Sequence, residues 1–171
     1  MRSIIVIAHD IRSTHNVGSL LRTCDGVGVE KLILTGYTPY PKKPGDQRLP
    51  HLAGKITSQI HKTALGAETN LPWEHQENIA KAIKKLRAED YQIAALEQTK
   101  NSIALPDFRA PKKIVLILGN EVTGLDSSLL SLTSACLEIP MYGQKESYNV
   151  VQAAAMALFH LRFSKDDIIA Q

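Results

Sequence analysis

Residues 3–34 read SIIVIAHDIRSTHNVGSLLRTCDGVGVEKLIL, and this stretch decides the fold class. Ile4-Ile5-Val6-Ile7-Ala8 is a β-branched run ended by His9 and Asp10, which predicts a strand buried on both faces. Lys31-Leu32-Ile33-Leu34 reads the same way. Between them, Asn16 to Asp25 repeats Val17, Leu20 and Leu21 at helical spacing, with Asn16 as the expected cap. Strand, helix and strand in this order form a βαβ unit, whose two strands must run parallel. Working outward, Lys113-Ile114-Val115-Leu116-Ile117-Leu118 predicts a further buried strand. Glu77 to Glu89 predicts a helix with Ile79, Ile83 and Leu86 on one face, and the short strand Gln92-Ile93-Ala94-Ala95 follows it. The alternation implies an α/β fold, a mostly parallel sheet with helices on both faces.

Thr35 to Gly54 carries Pro39, Pro41, Pro44 and Pro50 among Gly36, Gly45 and Gly54, which predicts one long loop, and long ordered loops in compact domains are usually functional. The last helix is expected over Tyr148 to Phe163, and it is apolar nearly all round from Val150 to Phe159. Such a helix needs cover on more than one side, from a core or a second subunit. At 171 residues the chain is expected to be a single domain, 1–171. With 44% hydrophobic and 22% charged residues it is ordinary globular material, neither collagen-like nor disordered. Cys24 and Cys136 have no paired spacing, which fits neither a disulfide framework nor a zinc site and leads to a cytoplasmic expectation. The run Ile4 to Ala8 is too short for a signal-peptide core or a membrane span, so no membrane partner is expected.

The net charge of +3 says little, but its distribution says more. Residues 1–65 hold nine Lys and Arg against four acids, a local net of +5, which leaves −2 for the other 106 residues. That asymmetry suits nucleic-acid contact and suits a solvated charged face equally well. Lys42, Lys43, Arg48, Lys55 and Lys62 face only Asp46 in their stretch, and with Arg12 and Arg22 they are the candidate nucleic-acid contacts, RNA contacts if the resemblance given below holds.

Three clusters carry the polar chemistry. Asn16-Val17-Gly18-Ser19-Leu20-Leu21-Arg22 begins where the first strand hands over to the helix, the end at which α/β sheets place ligands. Arg22 follows Gly18 by one helical turn, and a guanidinium there can hold a phosphate through two parallel bonds; a turn glycine and a surface arginine give the same spelling. Gly119-Asn120-Glu121-Val122-Thr123-Gly124-Leu125 has the glycine spacing of a P-loop. Yet Leu125-Asp126 stands where Lys and Ser/Thr are needed, and Glu121 would repel a phosphate, which argues against nucleoside triphosphates. A carboxylate there suits a cationic or hydroxyl-bearing ligand. Finally, Ile139 to Val150 runs from a strand end into the last helix, where Ser147 and Asn149 are good caps and free backbone N–H groups face outward. Other chemistries fail on spacing. Gly26-Val27-Gly28 lacks a third glycine at Lys31, and Ser147 is flanked by Lys145 and Asn149 where a nucleophile elbow needs glycines. The six histidines are scattered, so they read as solvent or RNA contacts and no metal is expected.

Taken in order, N-x-G-x-x-x-R at 16–22, G-N-E-x-x-G-L at 119–125 and I-P-M-x-G-x-x-x-S-x-N-V at 139–150 closely resemble the three motifs of the SpoU (TrmH-type) RNA methyltransferases of the SPOUT superfamily. Each motif alone is weak; the ordered set is specific. The resemblance runs from Ile4 to Phe163 and includes Ala95-Leu96-Glu97, at the strand end where relatives line the cofactor pocket. It implies a SPOUT fold with a C-terminal trefoil knot, which no periodicity indicates. It also implies a homodimer that transfers a methyl group from S-adenosylmethionine to a ribose 2′-hydroxyl of structured RNA, either tRNA or rRNA. The implied cofactor contacts are Leu96, Glu97, Gly119, Asn120, Gly124, Ile139, Met141, Tyr148 and Asn149. The implied catalytic set is Asn16, Arg22, Glu121, Ser147 and Asn149. In it Asn16 positions the ribose and Arg22, Glu121 anchors Arg22 or a ribose hydroxyl, and Ser147 with Asn149 organises the target nucleotide.

This chain departs from the family with Tyr148 in place of Leu and Val151 in place of a small residue, and no separate RNA-binding extension is expected. Two rivals remain: a non-catalytic RNA-binding or assembly factor with the same fold, against which the polar motif positions are all intact, and methylation of a base nitrogen, which the first motif disfavours.

Overall fold

The structure is a computed structural model and describes residues 1–164; residues 165–171, part of the expected domain, lie outside the described residues. In chain order the elements are β1 (Ser3–His9), α1 (Thr14–Val27), β2 (Lys31–Thr35), α2 (Pro50–Ala64), α3 (Ala67–Asn70), β3 (Trp73–Gln76), α4 (Ile79–Ala88), β4 (Gln92–Leu96), β5 (Ile103–Ala104), β6 (Lys113–Leu118), α5 (Ser127–Leu130), β7 (Ala135–Glu138) and α6 (Val150–Phe163), with a 3-10 turn at Leu105–Asp107. The strands form one seven-stranded sheet in the order β3-β2-β1-β6-β4-β7-β5, and each pairing is parallel.

The β-branched runs form central strands because both faces of the sheet are covered. Ile4, Val6 and Ala8 of β1 pack with Val17, Leu20 and Leu21 of α1, Ile60 of α2 and Ala154 and Leu158 of α6. Ile5 and Ile7 point the other way, into a layer with Ile79, Ile83 and Leu86 of α4 and Leu129 of α5. Cys24 is fully buried in the first layer, where burial pushes its thiol up to about 12 and leaves it inert. Among the described residues no helix is long and apolar enough to cross a membrane.

Two expectations are corrected. The cap of α1 is Ser13, not Asn16: the Ser13 hydroxyl accepts the Asn16 N–H, so Asn16 lies inside the first turn and its side-chain amide is released for other work. The loop expected through Gly54 ends at Leu49, and Pro50 to Ala64 is helical. Pro50 occupies the first helical turn, where a missing N–H costs nothing, and Ala53, Ile60 and Ala64 bury one face. Lys55 and Lys62 therefore stand on a helix. Arg48 ties down the loop before it: its guanidinium lies 3.6 Å over the Tyr40 ring, pairs with Asp46 at 2.6 Å, and donates to the Tyr40 and Pro41 carbonyls. The Arg48 hydrogen bond holds the Asp46 carboxyl well below the usual carboxylate range.

Helix α6 is capped by the Asn149 side chain and buries Ala154, Ala157, Leu158 and Leu161. Its opposite face leaves Met156, Phe159 and Phe163 exposed, with the two phenylalanine rings 4.8 Å apart.

Candidate functional site

The carboxyl ends of β4, β6 and β7 and the start of α6 form a cleft of about 200 Å³, open to solvent on one side. Parallel sheets place ligands at such an end because the chain leaves each strand there in a different direction. Leu96, Glu97, Gly119, Asn120, Gly124, Ile139, Met141 and Tyr148 line the cleft, together with Glu121 and Ser147. Asn149 stands just outside, as the cap of α6. Val150, the last position of the third motif, lines it too; Gln98, Glu138 and Ala153 also line it with no motif position pointing to them, although Gln98 lies two residues past β4 and Glu138 ends β7.

The wall formed by 119–125 is held in a tight reversal. Asn120 and Gly124 form an isolated bridge, and the Asn120 Oδ1 accepts the N–H groups of Val122 (2.8 Å) and Thr123 (3.0 Å). Gly119 is required because a Cβ would lie 2.8 Å from the Gly124 carbonyl carbon and from Leu125 Cγ. Gly124 has φ +66, and a Cβ there would overlap the Glu97 carboxylate. Glu97 in turn accepts the Leu125 N–H at 3.0 Å, so besides lining the cleft it braces this loop from the neighbouring strand end.

At the rim the three motifs meet. The Asn16 Nδ2 donates to Glu121 Oε1 at 2.8 Å, the Arg12 N–H donates to Oε2 at 3.1 Å, and Asn149 Nδ2 donates to Asn16 Oδ1 at 3.4 Å. Partial burial works to raise the Glu121 carboxyl, but the Arg12 and Asn16 donors outweigh it and hold the group below its ordinary value. Its stabilising effect is therefore present above the usual carboxylate range and lost as pH falls through the lowered value. Glu121→Gln should reduce the melting temperature at neutral pH, and the gap to the parent protein should close at a pH low enough to protonate the parent carboxyl. Thermal unfolding at both pH values checks this, and a gap that does not change with pH contradicts it.

Of the two partners expected for Glu121, Arg22 or a ribose hydroxyl, Arg22 does not lie beside it. Six residues separate Arg22 from Asn16, which places it roughly 120° around α1 and about 9 Å along it. It is exposed and makes no hydrogen bond or ion pair among the described residues, and Glu121 anchors Asn16 instead. Gly18, read as a turn glycine, sits within α1 where α2 crosses, and a Cβ would overlap the Ile60 carbonyl oxygen and the Thr63 hydroxyl. Arg12, Lys42, Lys55 and Lys62 are exposed, Lys43 is half-buried 5.3 Å from the Tyr40 ring, and Arg48 is held within its own loop. Among the described residues no group of three or more His, Cys, Asp or Glu could hold a metal ion.

The profile of the SpoU rRNA Methylase family matches residues 3–159. The chain is 28% identical over 158 residues to the 23S rRNA (guanosine(2553)-2'-O)-methyltransferase RlmP of Bacillus subtilis, covering 92% of this chain and 57% of that protein. It is 28% identical over 169 residues to the tRNA (guanosine(18)-2'-O)-methyltransferase of Aquifex aeolicus, covering 97% and 72%. Among solved structures, the AdoMet-bound rRNA methyltransferase from Sinorhizobium meliloti superposes with a TM-score of 0.77 at 25% identity, covering 94% of this chain and 56% of that one. The chain thus spans little more than half the length of the Bacillus and Sinorhizobium proteins.

Proposed function

The chain belongs to the SpoU rRNA methylase family, and from that premise we propose that it transfers a methyl group from S-adenosylmethionine to a ribose 2′-hydroxyl of tRNA or rRNA. The observation that carries this reading is the joining of all three motifs through Asn16 at the rim of the cleft. An assembly factor would have no use for that polar set. We take the described sheet as one methyltransferase domain, with the knotted C-terminal path its family implies, working in the cytoplasm.

The cleft suits the cofactor. Leu96, Ile139 and Met141 offer an apolar bed for adenine, and Gly119 and Gly124 leave backbone polar groups uncovered for hydroxyl and amine contacts. Tyr148, 41% exposed at the mouth, replaces the family's leucine without filling the cleft. When bound, the cofactor supplies a methyl group on a sulfonium, a leaving group that needs no acid.

The chain must supply the rest. A 2′-hydroxyl is a poor nucleophile, so it has to be aligned with the methyl and relieved of its proton. Glu121 has its carboxylate occupied by Asn16 and the Arg12 N–H, so it is a positioning residue that fixes the Asn16 amide. Asn16 and Ser147 then face the ribose from the rim. A guanidinium keeps its proton in proteins, so Arg22 clamps a substrate phosphate whose oxygen takes the proton. Its place on α1, away from Asn16 and without a partner among the described residues, suits a residue that completes the site of a second subunit.

A homodimer closed over Met156, Phe159 and Phe163 covers the apolar face of α6. Light scattering is expected to give twice the 18.8 kDa chain mass, and Phe159→Asp with Phe163→Asp should return the chain mass. A wild-type monomer at micromolar concentration, or a double variant that stays dimeric, contradicts this interface. The activity itself is tested by incubating the protein with methyl-labelled S-adenosylmethionine and unmodified tRNA and rRNA; absence of label in RNA removes the reading.

A further inference from the structure

Beyond β2 the chain turns at Gly36, with φ +64, and presents Tyr37, an aromatic residue that is 62% exposed. Exposed as it is, this residue is held at both ends. Its N–H donates to Asp10 Oδ1 at 3.0 Å, and its phenol oxygen accepts from Asn120 Nδ2 at 2.6 Å. The same Asn120 amide donates to the Asp10 carbonyl at 2.9 Å. Asp10 itself has φ 55, and Gly36 is needed beside it because a Cβ would overlap the Asp10 carboxylate. A non-glycine residue in this region persists only where its surroundings over-determine it. The loops after β1, β2 and β6 are therefore locked together, and what they lock is an uncovered aromatic face.

The other described tyrosines differ. Tyr40 has one face against His75 at 4.0 Å and the Arg48 guanidinium at 3.6 Å, so its ring is used internally. Tyr91 is buried, and Tyr148 lines the cleft. Tyr142 is 97% exposed on the loop before α6, where no built contact fixes it. Tyr37 alone combines a fixed phenol with an open ring. Its fixing partner, Asn120, lines the cleft, and the next residue, Glu121, holds Asn16. The ring thus stands one hydrogen bond from the cleft, on the side of the chain whose first 65 residues carry the net +5.

We propose that Tyr37 is a stacking platform for an unpaired base of the RNA substrate, holding the target nucleotide in single-stranded form while its ribose lies at Asn16. This deepens the methyl-transfer reading and rests on it. RNA recognition outside duplexes works by splaying bases onto aromatic faces, and stacking is tolerant of base identity because every base has a π-face. A platform fixed in advance gives that contact without the cost of ordering a loose side chain.

The test measures affinity for end-labelled, unmodified tRNA and rRNA across salt, with S-adenosylmethionine affinity as a control. Tyr37→Ala should weaken RNA binding by roughly 5- to 150-fold, the range of one lost base stack. The slope of log affinity against log salt should stay unchanged, because no phosphate contact is removed. Lys55→Ser with Lys62→Ser, by contrast, should flatten that slope. Tyr37→Phe keeps the ring and loses only the Asn120 bond, so it should remain within about threefold of wild type. Equal losses in Tyr37→Phe and Tyr37→Ala would make Tyr37 a brace for Asn120 and overturn the platform. So would a Tyr37→Ala variant that binds like wild type or shows a flattened slope. Wild-type protein that binds no RNA overturns the methyl-transfer reading as well.

Discussion

Replacing Arg22 with Ala is expected to lower turnover by roughly 10²- to 10³-fold while S-adenosylmethionine affinity stays within about twofold. The expectation rests on position. The cofactor cleft is lined by residues from β4, β6, β7 and the start of α6, and Arg22 is not among them. Asn16, not Arg22, occupies the Glu121 carboxylate, so removing the guanidinium breaks no contact within the described chain. Arg22→Ala should accordingly fold and melt like wild type. What it loses is the clamp on a phosphate in the transition state, an interaction in which Arg22→Lys is a poor substitute because an ammonium lacks the planar two-bond fork. Single-turnover kinetics with saturating RNA separates the two effects. A loss of cofactor affinity as large as the loss of turnover would place Arg22 in the cofactor pocket and contradict the assignment.

The second large effect is on folding. Gly18→Ala is expected to destabilise the protein by about 2 kcal/mol, within the roughly 1–3 kcal/mol range of overpacked cores. At this chain length that lowers the melting temperature by about 4–8 °C. The added Cβ would overlap both the Ile60 carbonyl oxygen and the Thr63 hydroxyl, and the latter is already donating to the His15 carbonyl at 2.9 Å. Backbone of a packed helix cannot yield as a flexible side chain does, so α1 and α2 must move apart. This outweighs the gain in helix propensity of about 1 kcal/mol that alanine normally brings. Gly54→Ala is the control, since it sits within α2 with open space around it, and there the propensity gain should appear as added stability. A stabilised Gly18→Ala protein would show that the crossing is not close and that Gly18 serves the site directly.

What the sequence disclosed depended on how much each signal was local. The strands β1, β2 and β6 were legible because a buried parallel strand must be continuously apolar, and Ile4 to Ala8 is. The strand β3 was not, because Trp73-Glu74-His75-Gln76 lies at the sheet edge with each residue half-buried and shows no alternation. Helix α2 was hidden by Pro50 and Gly54, which read as loop residues although proline is compatible with a first turn. At the site, the residues lining the cleft were reachable only through resemblance to a known family, since strand-end glycines are common in many folds. That Asn16 rather than Arg22 would meet Glu121 was not legible, for a geometric reason. Spacing along α1 gives the face on which Arg22 and Asn16 lie, but it does not say which of them the 119–125 loop crosses. Arg48 carried a usable cue in Asp46, two residues away, which its guanidinium binds. Tyr37 carried none, because its role depends on Asn120, 83 positions away.

The central claim, methyl transfer to a ribose oxygen, is tested most directly by where the label goes in RNA. Alkali cleaves RNA by attack of each 2′-hydroxyl on the neighbouring phosphate, and a methylated 2′-oxygen cannot attack. After incubation with methyl-labelled S-adenosylmethionine and unmodified tRNA and rRNA, alkaline digestion should leave the label in resistant dinucleotides, and enzymatic digestion should release it as a 2′-O-methylnucleoside. Label recovered in mononucleotides carrying a methylated base would contradict the account.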